Sequence, residues 1–279
     1  MKGITTFLVL TFALSLPFYV IAGYTDELPI LILLAPGIAA LITRLIYQRN
    51  LRNLGWKLMK TDSQPRWWHW ENSRYLALSY ALPILIGIMV YGATWAFVPD
   101  SISIAGDASA TLVAFVTAAT VGVLFLAALS IGEEVAWRGF LLPELTKVSS
   151  FPIAAAASGL VWAVWHYPLI MFAPGLFDFS GLQLYFTLPM FTLSLIAVSV
   201  VLGWIRLKTG SVWPAVIAHG SHNSFTLTFL NDMTVQSGVT PYIASEVGIG
   251  LLLTWTIVAL VCWKIYSQSP TVTTEASQN

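Results

Sequence analysis

The chain has 279 residues, 57% of them apolar, with 13 basic and 13 acidic side chains that cancel to zero net charge and a mean hydropathy of +0.77. A soluble domain of this length has about a quarter of its residues charged, so the shift from charged to apolar is what a lipid solvent demands. Zero net charge argues against a nucleic-acid partner, and the lone cysteine, Cys262, excludes an intramolecular disulfide framework.

About 20 apolar residues are needed to cross a bilayer as a helix. Read on that length, the sequence predicts an all-α polytopic membrane protein of eight spans. The first, 4–23, follows Lys2, and "VIA" (20–22) weakly resembles a cleavage site. Its apolar run exceeds the roughly 7–15 residues of a signal core, so it reads as a retained helix. The second span, 28–47, leads into a long loop, 48–74, with "LRNLGWKLMK" and "RWWHWENSR". Tryptophans interleaved with basic residues suit a segment lying in the headgroup layer, with His69 an ordinary interfacial residue. Spans 75–98 and 111–131 follow, the latter continuing as helix through "GEEVAWRGF" (132–140) toward Pro143. Span 152–172 contains "AAAASG" (154–159), a small-residue face that lets helix backbones approach closely. The last spans are 183–205, 213–230 and 242–266, and the polar tail 267–279 reads as disordered. No internal repeat divides 1–266, which is treated as one domain.

With eight spans, the termini and the even-numbered loops share one side. All 13 basic residues, from Lys2 to Lys264, fall on or near it, while Asp26, Glu27, Asp100, Asp107, Asp178, Asp232 and Glu246 fall on the other. The positive-inside bias then places both termini in the cytoplasm.

Few strongly polar side chains interrupt the spans: Glu133, Glu134 and Arg138, His166 in "WAVWHYP", and His219, His222 and Asn223 in "WPAVIAHGSHNSF". An ionisable group at membrane depth costs at least ~2.5–3.5 kcal/mol and usually faces the bundle interior with a function. The bland reading is a helix-end charge at the interface. Glu134 and Arg138, four apart, share a helix face and can pair, which leaves Glu133, about 100° around, available as acid or base. His219 and Asn223 also share a face, with His222 a neighbour or bystander. A carboxylate among apolar side chains suits a general base acting on water, and histidines with an asparagine amide suit an oxyanion. Glu133, His166 and His219 also match the His₂Glu set of a catalytic zinc, although no HExxH is present and the ligands come from separate helices. Serine–histidine chemistry has no GxSxG to support it.

At these residues the sequence resembles the CAAX protease and bacteriocin-processing group of intramembrane proteases. "GEEVAWRGFLLP" matches its Glu-Glu-x-x-x-Arg motif. "WAVWH" matches Phe-x-x-x-His, with Trp162 in place of phenylalanine, and "TGSVWPAVIAH" leads into His-x-x-x-Asn at His219 and Asn223. The resemblance covers about 111–230. It implies roughly eight helices and a site opening to the cytoplasm, in the cell membrane of a prokaryote or the endoplasmic reticulum of a eukaryote. It implies Glu133 as general base with His166 assisting, His219 and Asn223 on the oxyanion, and Glu134 and Arg138 as structural support. It further implies a peptide or membrane-protein substrate, prenylated ones included, with no cofactor required on the glutamate mechanism and zinc as the alternative. A non-enzymatic scaffold or bacteriocin-immunity protein keeping the same polar core is the competing reading. A proton-coupled transporter is a third, disfavoured because the polar groups form three short clusters rather than a path across the membrane.

Overall fold

The computed structural model describes residues 1–57, 70–104, 106–177, 179 and 181–268. The part of the interfacial loop that includes His69, and the tail from 269 onward, lie outside the described residues. The helices are α1 (Lys2–Thr25), α2 (Ile30–Gln48), α3 (Ser73–Phe97), α4 (Ala108–Leu145), α5 (Phe151–Phe172) and α6 (Leu184–Thr209). They are followed by α7, Trp213–His222 continued by Asn223–Leu230 in π-type geometry, and by α8 (Ile249–Gln268). Among the described residues the backbone is helical apart from turns, loops and one isolated bridge, Ile102 to Thr234.

All of these except α7 are long and apolar enough to cross a bilayer. This is an all-α polytopic membrane protein with seven such helices among the described residues, and α7 is the remaining one of the eight expected; its middle reads His-Gly-Ser-His-Asn-Ser (219–224) and lacks the hydropathy of a lipid-facing span. It does not need that hydropathy. Ala215, Val216, Ala218, Gly220, Ser221 and Phe225 are buried, and the helix packs between α3, α4 and α6. The last span also starts later than expected, at Ile249 rather than 242. Thr240–Ile243 forms a separate turn that Pro241 opens, and Glu246 and Gly248 sit in the bend before α8.

The outer surface is apolar: Leu85, Ile88, Leu124, Phe125, Leu253 and Ile257 are all exposed, whereas Thr11, Ser15, Ser130 and Ser158 are buried. In lipid there is no hydrophobic drive between helices, so close backbone packing and interhelical hydrogen bonds hold the bundle together. The α1 helix is tied in this way. Tyr19 donates to the Trp165 carbonyl at 2.6 Å, and the Trp165 indole donates to Ser15 at 2.8 Å.

The long α4 helix carries the glutamates, as the sequence indicates. Its 38 residues extend roughly 57 Å, well beyond a hydrocarbon core of ~30 Å. Two π-type segments, Ala118–Gly122 and Val135–Leu141, interrupt it, and such segments recur beside functional sites. Glycines fix its neighbours. A Cβ on Gly37 of α2 would lie 2.9 Å from the Gly132 Cα, and one on Gly220 of α7 would lie 2.6 Å from the Ala127 Cα. The small-residue face of α5 meets α6 likewise, with a Gly159 Cβ falling 2.7 Å from the Ile196 Cα. Because Gly132 meets backbone rather than a flexible side chain, Gly132→Ala must push α2 off α4. The expected cost is about 1–3 kcal/mol, read as a lowered melting temperature of the detergent-solubilised protein.

Candidate active site

The site forms where α4, α5 and α7 meet. Glu133 and Glu134 end the regular part of α4, directly after the Gly132 contact, and both are buried. Glu134 pairs with Arg138 as the i, i+4 spacing predicts, Arg138 Nη1 donating to Glu134 Oε1 at 3.0 Å with both side chains wholly buried. The same oxygen lies 2.9 Å from His219 Nδ1 on α7. With Glu134 a carboxylate, Nδ1 carries the proton and Nε2 is left for other chemistry. Glu134 therefore does more than neutralise Arg138, since it also fixes the tautomer and orientation of His219.

Glu133 has a different environment. Its Oε2 accepts a hydrogen bond from Trp162 Nε1 at 2.6 Å. The Trp162 ring stacks under the Arg138 guanidinium, 4.2 Å from Cζ to centroid, and meets the His219 ring edge-on at 5.4 Å. Trp162 is thus the hub of the site. The sequence motif treats it as one aromatic replacing another, but phenylalanine has no N–H to hold Glu133. A charged hydrogen bond of this kind is worth about 1.5–3 kcal/mol. Trp162→Phe is accordingly expected to slow turnover roughly ten- to a hundredfold, with KM little changed, in any assay of this site.

His166, one turn further along α5, has Nδ1 2.9 Å from the Trp162 carbonyl, which leaves Nε2 as its acceptor. Its ring packs edge-on against Trp165 at 4.7 Å and Phe191 at 5.3 Å. Asn223 begins the π-type part of α7, one helical turn after His219. Glu133, His166, His219 and Asn223, drawn from three helices, all line one cavity of about 460 Å³. His222 lines it too, packed against Trp255 at 5.9 Å.

The six residues singled out from sequence therefore come together in two groups: Glu133, His166, His219 and Asn223 at the cavity, and Glu134 and Arg138 beneath it. Among the described residues no three His, Cys, Asp or Glu side chains are placed together to hold a metal ion, while Glu133 Oε2 and His219 Nδ1 are each held by a protein partner.

Sequence reasoning missed Trp162 as a donor and the acidic groups Asp232 and Glu246, which line the far end of the same cavity. Glu246 sits in the bend before α8 and bears no motif that could have flagged it. Burial raises its pKa from 4.5 to about 7, partly offset by the nearby His219. A carboxyl that holds its proton more tightly when folded loses stability as pH rises from 4.5 toward 7, after which the loss levels off. Glu246→Gln removes that penalty, so it is expected to raise the melting temperature at pH 8 and leave it unchanged at pH 4.

The cavity has a buried end and an exposed rim. Its blind end, at Glu133, Trp162, Leu202 and Ala218, is buried and lies toward the basic ends of the helices. Its rim, with Leu28 41% exposed and Asp232 exposed, lies at the opposite ends.

Residues 109–225 match the family described as type II CAAX prenyl endopeptidase Rce1-like. A CAAX prenyl protease 2 of Methanococcus maripaludis is 31% identical over 102 residues. Over this segment the chain is similar to the CAAX protease family. The matched segment runs from the start of α4 into the π-type part of α7 and contains all six site residues. The alignment covers 36% of this chain and 37% of the curated relative, so the chain spans little more than a third of that protein's length.

Proposed function

We propose that the protein is an intramembrane endopeptidase in which Glu133 activates water against a peptide carbonyl. The observation that carries this reading is the convergence of Glu133, His166, His219 and Asn223 on one cavity, with one side of three of them already held. Trp162 holds Glu133 Oε2, so Oε1 is the oxygen that takes the proton from water. His166 Nε2, fixed by the Nδ1 contact to its own helix, accepts from the same water and aligns it. As the carbonyl becomes tetrahedral, its oxygen is met by the Asn223 amide and by His219 Nε2–H when that ring carries both protons. Preorganised donors of this kind supply the largest single part of many acyl-transfer rate enhancements. Glu133 then returns its proton to the leaving amine. No step of this reading calls on a metal.

The cavity wall between His166 and the rim carries Leu169, Phe191, Leu195 and Val198. That wall suits an apolar peptide or membrane-protein segment, a prenylated one among them. The test is to incubate the protein in liposomes with a peptide library in H₂¹⁸O and sequence the products by mass spectrometry. Hydrolysis puts one ¹⁸O into each new C-terminus, and label that depends on Asn223 and His166 supports the site assigned here. Failure of the wild-type protein to cut any peptide or co-reconstituted membrane protein would leave the polar core as a scaffold.

A further inference from the structure

We infer that Glu246 is a specificity-determining residue of the cavity, one whose carboxylate takes the cationic end of a lysine or arginine in the bound peptide segment. What is done to that segment rests on the peptidase reading; its recognition does not.

Glu246 is a charged group of the cavity that the mechanism leaves unused. It lines the same cavity as Glu133, His166, His219 and Asn223, yet it forms no hydrogen bond or ion pair with a described residue. Among the described residues no lysine or arginine lines that cavity. Its histidines are engaged elsewhere. His219 Nδ1 meets Glu134 and His166 Nδ1 meets the Trp162 carbonyl, while His222 packs edge-on against Trp255. A carboxylate sheltered from water with no counter-charge is destabilised, which is why burial pushes this one up to about 7.

The bend before α8 fixes where that carboxylate stands. Ala244 N–H donates to the Thr240 carbonyl at 2.8 Å, Ser245 Oγ to the Pro241 carbonyl at 2.7 Å and Gly248 N–H to the Ser245 carbonyl at 2.9 Å. Gln236 Nε2 braces the bend from outside by donating to the Ala244 carbonyl at 2.9 Å. The chain is anchored on both sides of Glu246. Ala244 packs in one apolar cluster with Tyr91, Leu251 and Trp255, and Val247 in another with Ala163, Ile170 and Phe191. Ser245 and Val247 are buried, and within 240–250 it is Glu246 that lines the cavity.

The surrounding wall suits a long cation. Leu251 and Trp255, one turn apart on α8, line it and offer apolar surface to a methylene stem. The acidic side chains lining the cavity are Glu133, Asp232 and Glu246, so its potential favours a cation. An ammonium or guanidinium gives Glu246 the partner it lacks, whereas a neutral side chain leaves it unpaired and an acidic one adds repulsion. His219 is near enough for its charge to act on Glu246. The selected residue therefore lies close in sequence to the carbonyl that His219 serves.

The test reads capture rather than turnover. Apolar peptides carrying photo-leucine are made with lysine, its neutral analogue norleucine, or glutamate at one position at a time. Each is photocrosslinked to the full chain in phosphatidylcholine nanodiscs, whose headgroups carry no net charge. The wild-type protein is expected to capture the lysine peptide roughly tenfold better than the norleucine one at one or two adjacent positions, and the glutamate peptide least. Glu246→Gln should capture the lysine and norleucine peptides alike, and Glu246→Asp should keep the preference. Absence of preference at every position overturns the inference, as does capture of no peptide at all. A preference that survives Glu246→Gln also overturns it, because the selecting charge then lies elsewhere. Lysine-selective capture without cleavage would defeat the peptidase reading and leave this assignment standing.

Discussion

Glu133→Gln is expected to abolish hydrolysis while leaving the protein folded and the cavity intact. The amide is nearly isosteric and still offers an oxygen to the Trp162 indole, so the 2.6 Å hydrogen bond that positions the side chain can persist. It cannot take a proton from water. Loss of a positioned general base costs on the order of 10²–10⁴ in rate, and here the same group also returns the proton to the leaving amine. The measurement is single-turnover cleavage of a peptide identified by ¹⁸O labelling, paired with the melting temperature in detergent. An unchanged melting temperature with cleavage lost is the expected pair. Retained cleavage would remove Glu133 from the mechanism, and retained biological function without cleavage would favour the scaffold reading.

Glu134→Ala is expected to have the opposite signature, a large loss of stability. It leaves the Arg138 guanidinium buried beside Trp162 with no carboxylate. Breaking one partner out of a buried pair costs about 3–5 kcal/mol, most of it the penalty of the orphaned charge. The double variant Glu134→Leu/Arg138→Met removes both charges and fills a similar volume, so most of that stability should return. Activity should not return with it, because His219 Nδ1 loses the oxygen 2.9 Å away that sets its tautomer. Thermal unfolding and cleavage measured on the single and double variants separate the two roles. Recovery of both properties in the double variant would mean that Glu134 serves only to neutralise Arg138.

Some of this was legible in the residues themselves. The i, i+4 spacing of Glu134 and Arg138 is a property of one helix, and the pair forms as read. The face shared by His219 and Asn223 survives for the same reason, since both line one cavity although the helix turns to π-type geometry at Asn223. The small face of 154–159 packs against α6 as its composition suggests. Where a reading depended on hydropathy alone it was less secure. Hydropathy reads α7 as an ordinary span, whereas it is a polar helix sheltered by its neighbours, and a one-dimensional average cannot distinguish shelter from lipid.

What the sequence by itself determined is the solvent, the all-helical order of the spans and the identity of the six polar residues. Each of these follows from local composition or spacing within a single turn or span. Only the tertiary structure decided how those residues are held and reached. The Trp162–Glu133 and His219–Glu134 hydrogen bonds join positions 29 and 85 residues apart. The second of them is possible because Gly220 lets α7 close on Ala127 of α4. The cavity joins Glu133 on α4 to Asp232 and Glu246, which lie beyond α7 and before α8. No periodicity encodes such an arrangement, because it is set by which helix lies against which.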